Sequence, residues 1–369
     1  MLKIGLITYP VEKSPAGIGV HVKRLVENIL DLDRENRYYL LHYTPTDNSI
    51  YRKNEILYKH YKGFPVMFSD SWYLRNASHH FDIVHRFSPG GFLFNIKAKK
   101  VITVHDLFFY KAYPFNKSLK LYFARYLNRA SLKNADALLA VSQFTKREIL
   151  KTFDLDESKI HVVYNGADTV PCNSEDAKQI LKSEYGIKSE YILFVSTIEP
   201  RKNLLSLFKA YELLKKKYSI KESLIVVGKR GWDYNETLDY IEKSIFRDSI
   251  ILTGFVPTHH LPLFYSNASL FVYPSLMEGF GIPPIEAMQC GCPTLTSNTS
   301  SLPEVVQHLE MMFDPEDIDQ IVERIIRILR EPGFRKDNIR KGMENAKKFS
   351  WRKSAQQIIS IYQTLGADR

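Results

Sequence analysis

Short apolar runs alternate with amphipathic helical patterns along the whole chain. Between the runs, apolar residues recur at helical spacing, as at Val22, Leu25, Val26, Ile29 and Leu30. Strands that alternate with helices predict parallel sheets covered on both faces, and here the pattern occurs twice. The candidate strands are 2–8, 38–43, 83–85, 100–104, 137–141 and 161–164 in the first half, then 191–195, 223–227, 250–253, 270–273 and 294–296.

A turn signal near the middle of the chain predicts a domain junction. Asn165-Gly166-Ala167-Asp168 is followed by Pro171, and 369 residues suffice for two domains of ordinary size. We therefore expect an α/β protein with one Rossmann-like domain over 1–167 and a second over 168–348. Open α/β sheets bind ligands beyond the carboxyl ends of their strands, so the functional site is expected in a cleft between the two sheets.

Composition excludes several classes of protein. Hydrophobic residues make up 44% and charged residues 25%, which is typical of a core-forming chain and excludes a disordered regulator, a fibre or a disulfide scaffold. Three cysteines are too few for a disulfide framework, so we expect the protein in a reducing compartment, the cytoplasm. The longest stretch without Asp, Glu, Lys or Arg, 249–277, is interrupted by three prolines. A membrane span is therefore not expected, and the protein would at most be peripheral to a membrane.

The net charge of +10 lies entirely in the first half of the chain. Residues 1–165 hold 25 basic and 15 acidic residues, whereas the remainder holds 26 of each. The segments 51–62 and 110–133 interleave basic with aromatic residues. One interpretation is a solvated helix face, and the other is attraction to an anionic surface, either a phospholipid leaflet at the inner face of the membrane or a phosphate-bearing substrate. Nucleic acid is ranked last, because no nucleic-acid-binding motif accompanies the charge.

Two short motifs are suited to bind anions. Gly17 and Gly19 follow the first strand and open a helix, where glycines let the backbone approach a ligand and free N–H groups face an anion. Arg201 and Lys202 follow the strand 191–195 just before a helix. Because a helix amino end disfavours cations, this basic pair is expected to be joined by an anion, such as a diphosphate.

The most informative motif runs from Tyr273 to Met288. A strand ends at Tyr273, a Gly-bearing loop follows, and a helix starts near Ile282 with a proline in its first turn. Glu278 is then in the loop and Glu286 in the helix, so both are expected to point into one cleft. Carboxylates accept paired hydrogen bonds from vicinal hydroxyls, which is the usual recognition of sugar and ribose.

The motif in which seven residues separate Glu278 from Glu286 resembles the signature of the family 4 retaining glycosyltransferases of the GT-B fold. The resemblance runs over most of the chain, with further matching segments at 104–107, 141–145, 164–168, 254–257, 297–304 and 349–351. Within the family it is greatest to bacterial mannosyltransferases of surface polysaccharide assembly. The fold expected from it is two Rossmann-like domains that face each other across a cleft, with a final helix, 349–369, that crosses back to the first domain.

The resemblance also implies roles for individual residues. Glu286 would hold the nucleotide ribose, Arg201 and Lys202 the diphosphate, Glu278 the hydroxyls of the donor sugar, and His105 would lie beside the transferred sugar. The remaining donor-binding positions would be Gly17, Gly19, Gly279, Phe280, Gly281 and Ile282. In retaining enzymes of this fold the leaving phosphate takes the proton of the acceptor hydroxyl, and negative charge develops on the leaving diphosphate. The expected catalytic set is therefore Arg201 and Lys202 at the diphosphate, with Glu278 and His105 at the sugar.

The expected reaction is hexosyl transfer, most similar to mannosyl transfer from GDP-mannose to a glycan or lipid-diphosphate-linked acceptor. Three alternatives remain open: a UDP-hexose donor such as UDP-glucose, an epimerase-like hydrolase of nucleotide sugars with the same two-domain architecture, and a non-catalytic protein that binds a nucleotide sugar. No cofactor is expected beside the donor. No metal is expected either, because the three Asp-x-Asp triplets, at 31–33, 154–156 and 317–319, fall at helix ends or turns where aspartates are ordinary caps.

Overall fold

The computed structural model describes residues 1–8, 18–45, 54–59, 66–89, 92–108 and 119–367, without the side chains of 66–67 and 119–124. The chain divides into two compact units. Unit 1 comprises Met1–Gly166 together with Ser350–Arg369, and unit 2 comprises Ala167–Phe349. Each unit is a parallel sheet flanked by helices, as the alternating pattern predicted.

Unit 1 contains a seven-stranded sheet with the strand order β3-β2-β1-β4-β5-β6-β7. All its strand pairs are parallel, and the order reverses between β1 and β4. The strands are β1 Lys3–Ile7, β2 Arg37–His42, β3 Glu55–Leu57, β4 Ile83–Arg86, β5 Lys99–Val104, β6 Ala137–Ala140 and β7 Ile160–Val162.

The described helices of unit 1 include the last helix of the chain. They are α1 Ile18–Leu32, α2 Val66–Ala77, α3 Leu119–Lys133, α4 Gln143–Thr152 and α13 Trp351–Ala367. Helix α13 packs along α1 and against β4. The hydroxyl of Tyr362 on α13 lies 2.5 Å from Nδ1 of the buried His85, so the helix contributes a polar contact to the sheet as well as apolar cover.

Unit 2 contains a six-stranded parallel sheet with the order β10-β9-β8-β11-β12-β13, reversing between β8 and β11. Its strands are β8 Tyr191–Val195, β9 Ser223–Val227, β10 Ile250–Gly254, β11 Leu270–Tyr273, β12 Thr294–Ser297 and β13 Met312–Phe313. Its helices are α5 Glu175–Tyr185, α6 Leu204–Tyr218, α7 Asn235–Lys243, α8 Leu261–Asn267, α9 Ile282–Gln289, α10 Leu302–Val306, α11 Ile318–Arg330 and α12 Pro332–Ala346.

The central strand β8 explains why the strands of unit 2 read as continuous apolar runs. All five of its residues are buried. Ile192 and Phe194 pack in the cluster that contains α6, whereas Leu193 and Val195 pack with residues of α5 and α8. A parallel strand covered on both faces needs apolar side chains at every position, so alternation disappears. The two strands that the pattern missed, β3 and β13, have only three and two residues.

Within the described ranges, none of the helices combines the length and the apolar composition that a membrane-spanning segment requires.

Candidate active site

Two loops of unit 2 meet at the point where its strand order reverses. The loop after β8 contains a 3₁₀ turn, Pro200–Lys202, and the loop after β11 runs from Pro274 to Gly281. The backbone joins the two loops, because the N–H of Leu276 donates to the carbonyl oxygen of Arg201 at 2.8 Å. Such a switch point at the carboxyl ends of parallel strands is the usual ligand site of a doubly wound sheet.

Glu278 forms the centre of this site. Three donors converge on its Oε1 atom: Lys202 Nζ at 2.5 Å, Ser275 Oγ at 2.6 Å and Tyr273 Oη at 2.8 Å. Lys202 Nζ also donates to Tyr273 Oη at 3.0 Å. Glu278 is 7% exposed and Lys202 is 6% exposed, so this ion pair is withdrawn from water.

Arg201 lies on the more exposed side of the same ion pair. Its Nη1 atom donates to Glu278 Oε2 at 3.3 Å and to the carbonyl oxygen of Met277 at 3.1 Å. Its Nε atom donates to Glu199. The anions that accompany the basic pair in this structure are therefore two carboxylates of the protein.

The charges of the cluster decide the protonation of Glu278. Burial disfavours the charged form, but the cations of Lys202 and Arg201 and the hydrogen bonds of Lys202 and Ser275 hold the pKa of the carboxyl below its ordinary value. Glu278 is therefore a carboxylate that accepts hydrogen bonds. Its contacts orient it and keep two cations at the strand ends.

A row of hydroxyl groups after β12 holds the Glu278 loop in place. Ser300 Oγ accepts from the Glu278 N–H at 2.9 Å, and Ser301 Oγ donates to the carbonyl oxygens of Phe280 at 2.8 Å and Glu278 at 3.0 Å. These contacts place Gly279 and Phe280 in the turn before α9.

The helix α9 begins directly after this turn. Gly281 is its N-cap with φ 107°, in the left-handed region, and a Cβ atom there would lie 2.7 Å from Leu302 Cδ2. Ile282 is the first helical residue. Pro283 and Pro284 follow, so the first turn of α9 lacks two of its backbone donors.

Glu286 lies in the second turn of α9 and is half-buried. Its Oε2 atom accepts a hydrogen bond from Tyr265 Oη on α8 at 2.9 Å. Burial raises the pKa of Glu286, and the Tyr265 hydrogen bond opposes the rise. Glu286 and Glu278 thus belong to one loop–helix segment but have different partners.

The predicted site residues of the first half of the chain lie in unit 1. His105 follows β5, and its Nε2 lies 2.9 Å from the carbonyl oxygen of Phe87, so Nε2 carries the proton and Nδ1 is left as an acceptor. Burial lowers the pKa of His105, which favours this neutral form. Gly19 is buried near the start of α1, whereas Gly17 lies outside the described residues.

Beneath His105 lies a buried histidine that the sequence did not single out. The ring of His21 packs edge to face on His105, with centroids 4.5 Å apart, and on Trp351 of α13, at 5.3 Å. Among the described residues, neither of its nitrogens makes a hydrogen bond of good geometry, and the side chain of Asn165 is the polar group that interacts with the ring. Burial and the neighbouring His105 place the pKa of His21 well below its ordinary value, so it is a neutral packing group.

Sequence reasoning missed three hydroxyl-bearing residues of unit 2: Tyr265, Tyr273 and Ser275. All are fully buried or nearly so. Tyrosines at the end of an apolar strand or in an apolar helix resemble core residues in a sequence. The available signal was that a buried tyrosine hydroxyl needs a partner, and Tyr273 lies five residues before Glu278.

The Asp-x-Asp triplet at 317–319 lies at a helix start, where an aspartate cap was expected. Asp317 caps α11 by accepting from the Gln320 N–H at 3.0 Å. The three cysteines are free thiols, and burial raises the pKa of Cys290 to about 12. Within the described ranges, no group of three or more His, Cys, Asp or Glu side chains could hold a metal ion.

Two protein families match the chain, one in each half. Residues 15–171 match Glycosyltransferase Family 4, and residues 177–349 match Glycosyl transferases group 1. The second match contains Arg201, Lys202, Glu278 and Glu286.

Curated relatives include several bacterial mannosyltransferases. O-antigen chain mannosyltransferase B of Escherichia coli is 32% identical over 297 residues, which cover 80% of this chain and 77% of that protein. O-antigen chain mannosyltransferase RfbU of Salmonella typhimurium is 36% identical over 220 residues, covering 59% and 57%. The serotype-specific mannosyltransferase WbdA of Escherichia coli is 33% identical over 246 residues, covering 65% of this chain but 30% of WbdA.

Solved structures share the fold at low identity. Sucrose-phosphate synthase from Thermosynechococcus elongatus has a TM-score of 0.77 at 18% identity, with all of both chains covered. HepE of Anabaena, in complex with UDP and glucose, has a TM-score of 0.77 at 16% identity, with 99% of this chain and 100% of that chain covered. The predicted fold class, two Rossmann-like domains of the GT-B kind, is confirmed.

Proposed function

Because the chain belongs to the glycosyltransferases that join a Glycosyltransferase Family 4 domain to one of Glycosyl transferases group 1, it is a hexosyltransferase, and we propose that it transfers mannose from GDP-mannose with retention of configuration. The choice of mannose is supported by its relatives in Escherichia coli and Salmonella typhimurium, which are mannosyltransferases. The acceptor in this proposal is a glycan or a lipid-diphosphate-linked glycan, and no metal or cofactor takes part.

The observation that supports a diphosphate leaving group is the cation pair at the strand ends of unit 2. Arg201 and Lys202 are held beside Glu278 by hydrogen bonds that fix both side chains before any donor arrives. Preorganised cations in a site withdrawn from water stabilise charge that develops in a transition state much better than cations in solution. The group on which negative charge develops in sugar transfer from a nucleotide donor is the departing diphosphate.

The proposed reaction proceeds on one face of the donor sugar. The bond from the anomeric carbon to the diphosphate oxygen breaks, and the acceptor oxygen bonds to that carbon from the same side. The acceptor proton passes to the departing phosphate oxygen, so GDP and the glycoside are the products. Glu278 orients the donor hydroxyls and the two cations, and Glu286 holds the ribose. His105, neutral with Nδ1 as acceptor, binds a hydroxyl of the transferred sugar.

Donor identity is tested by a nucleotide panel. We expect GDP and GDP-mannose to raise the melting temperature of the protein at millimolar concentration and UDP, UDP-glucose and ADP to have little effect. Because Glu286 accepts from the ribose hydroxyls in this proposal, Glu286→Ala should reduce the shift by at least half. Thermal-shift measurement on both variants checks this.

The panel also separates the alternatives. A shift with UDP compounds alone would replace GDP-mannose by a UDP-hexose as the donor. GDP-mannose that binds but is never converted to GDP in the presence of bacterial glycan acceptors would favour a nucleotide-sugar-binding protein. A response to none of the nucleotides would contradict a donor site in unit 2.

For the acceptor side, we propose that unit 1 contacts an anionic membrane through α2 and α3. Tyr126, Arg129 and Lys133 follow one face of α3 at helical spacing and are exposed, Tyr126 to 68%. Trp72 on α2 is 51% exposed. Exposed aromatic residues among basic ones are suited to the interface of an anionic leaflet, where each cation near the surface contributes about 1 kcal/mol.

The inner faces of α2 and α3 are joined through one segment of unit 1, and the exposed residues of the two helices form the proposed surface. The segment 92–94 bridges them, because the Phe92 N–H donates to Ser131 Oγ on α3 and the Leu93 N–H donates to Ser71 Oγ on α2, both at 3.2 Å. A lipid-linked acceptor would then be presented to the protein at the leaflet that this surface contacts.

Vesicle sedimentation tests this contact. We expect the protein to sediment with phosphatidylglycerol vesicles at low salt and not with phosphatidylcholine vesicles, and binding to fall about 10-fold or more in the Arg129→Glu/Lys133→Glu variant. The matched control is Lys188→Glu/Lys221→Glu, which makes the same charge change at exposed positions of unit 2. Equal losses in both variants, or no binding by the wild type, would contradict a specific surface on α2 and α3.

A further inference from the structure

We infer that Tyr265 is a positioning residue for the donor: by its hydrogen bond to Glu286 it holds one carboxylate oxygen of that residue and directs the other to the ribose hydroxyls. This inference rests on the proposed function, because Glu286 is the proposed ribose ligand. It adds a residue from a different helix, α8, which neither the sequence motif nor the family match assigns.

The geometry of the contact fixes which oxygen is occupied. Tyr265 Oη donates to Glu286 Oε2 at 2.9 Å. Among the described residues, Tyr265 is the donor to Oε2, and no protein group donates to Oε1. A carboxylate held at one oxygen cannot rotate freely, so its other oxygen presents its lone pairs in a set direction.

Tyr265 is itself rigidly held. Its side chain is fully buried, and its ring packs edge to face on Phe271 of β11, with centroids 5.5 Å apart. The neighbouring Ser266 accepts the Cys172 N–H at 2.8 Å, and the Phe264 carbonyl accepts from Tyr191 Oη at 2.8 Å. Helix α8 is thus fixed to β8 on one side of Tyr265 and to the segment before α5 on the other, so the position of the hydroxyl is set by the fold.

Two titratable groups face Glu286 in the structure, Tyr265 from α8 and Cys290 from the end of α9. Both are neutral at physiological pH, because burial raises the pKa of each above its ordinary value. The Tyr265 hydrogen bond favours the charged carboxylate and so opposes the effect of burial on Glu286. Removal of this hydroxyl should therefore raise the pKa of Glu286 further. As the pH falls, the carboxylate would then be protonated, and ribose binding lost, at a higher pH than in the wild type.

The test measures the dissociation constants of GDP and of 2′,3′-dideoxy-GDP, with the uridine pair in parallel, for the wild type, Tyr265→Phe and Glu286→Ala. At pH 7.5 we expect the wild type to prefer GDP over the dideoxy nucleotide about 30-fold, as for loss of a hydrogen-bonded hydroxyl pair at a charged acceptor. Tyr265→Phe should lower this preference about 5- to 10-fold and move the acid limb of GDP binding to higher pH. Glu286→Ala should abolish the preference.

The control is Tyr211→Phe. Tyr211 is also fully buried in unit 2, and its hydroxyl donates to backbone carbonyls, at 2.9 Å to that of Glu222, away from α9. The Tyr211→Phe variant should keep the ribose preference and the pH profile of the wild type, because loss of this hydroxyl lowers only the stability of unit 2. Equal changes in Tyr211→Phe and Tyr265→Phe would overturn the inference, since a general loosening of unit 2 would then explain them.

The remaining outcomes separate the inference from the proposed function. If Glu286→Ala abolishes the ribose preference while Tyr265→Phe retains it with an unshifted acid limb, the positioning role is wrong and the donor site stands. If Glu286→Ala retains the preference as well, Glu286 does not hold the ribose, and both the inference and the proposed donor site fall.

Discussion

Replacement of Lys202 by methionine is expected to lower kcat for sugar transfer about 100- to 1,000-fold, the usual effect of removing one preorganised donor from a developing oxyanion. Lys202 is 6% exposed and its ammonium group is held at 2.5 Å from Glu278, so no solvent cation can take its place. KM for the donor should change less than kcat, because the charge on the diphosphate grows as the bond to the sugar breaks. Steady-state kinetics on the purified variant measures both constants.

Lys202→Met also lowers the stability of the fold, and a second variant separates this loss of stability from the loss of catalysis. Lys202→Met leaves Glu278 buried with Arg201 at 3.3 Å as its remaining cation, which should cost about 3 kcal/mol of stability. Lys202→Met/Glu278→Gln removes the charge of both partners and should recover most of that stability, but none of the activity. A double variant that regained activity together with stability would show that Lys202 acts only through the fold. Lys209→Met, at an exposed position on α6, is the matched control and should resemble the wild type.

Replacement of Gly228 by alanine is expected to destabilise unit 2 by about 4 kcal/mol or more, at the upper end of single substitutions. Gly228 follows β9 with φ 148°, and a Cβ atom there would lie 1.9 Å from the backbone oxygen of Ser196, at the end of β8. Backbone cannot move aside as a side chain can. Because the loop after β8 carries Arg201 and Lys202, the site should be lost with the fold. Thermal unfolding should show a decrease in melting temperature of about 10 °C.

Gly254 at the end of β10 is the control for this variant. It also has a positive φ, 71°, but a Cβ atom there meets nothing within 4 Å. Gly254→Ala therefore measures the strain of the backbone conformation alone, expected to be about 1 kcal/mol. Equal destabilisation by the two substitutions would contradict the steric explanation, because only Gly228 faces another strand end.

The sequence predicted the parts of this protein in which local pattern and tertiary position agree. The strand β8 is apolar at every position because both its faces are covered, and the loop after it is polar because it reaches the edge of the sheet. A basic pair at the start of a helix indicated that an anion must be near. That indication was physically sound, but it did not identify the anion.

The remaining features of the site depend on contacts between residues that are far apart in the sequence, which a local pattern does not reveal. Lys202 and Glu278 are 76 positions apart, and their pairing follows from the adjacency of β8 and β11 in the sheet. In the sequence Tyr273 is only the last residue of an apolar strand, yet its hydroxyl bonds to both members of the ion pair. His21 occupies an apolar position of an amphipathic helix and packs on His105, a contact between α1 and the end of β5. Short strands such as β3 are held by their neighbours and leave little periodic signal.

The most direct test is a crystal structure of the protein with GDP bound. The proposed donor site predicts diphosphate oxygens within hydrogen-bonding distance of the Arg201 guanidinium and of Lys202 Nζ, and ribose hydroxyls that donate to Glu286, at the carboxyl ends of β8 and β11. A nucleotide bound away from these strand ends, or one whose diphosphate contacts neither Arg201 nor Lys202, would contradict it.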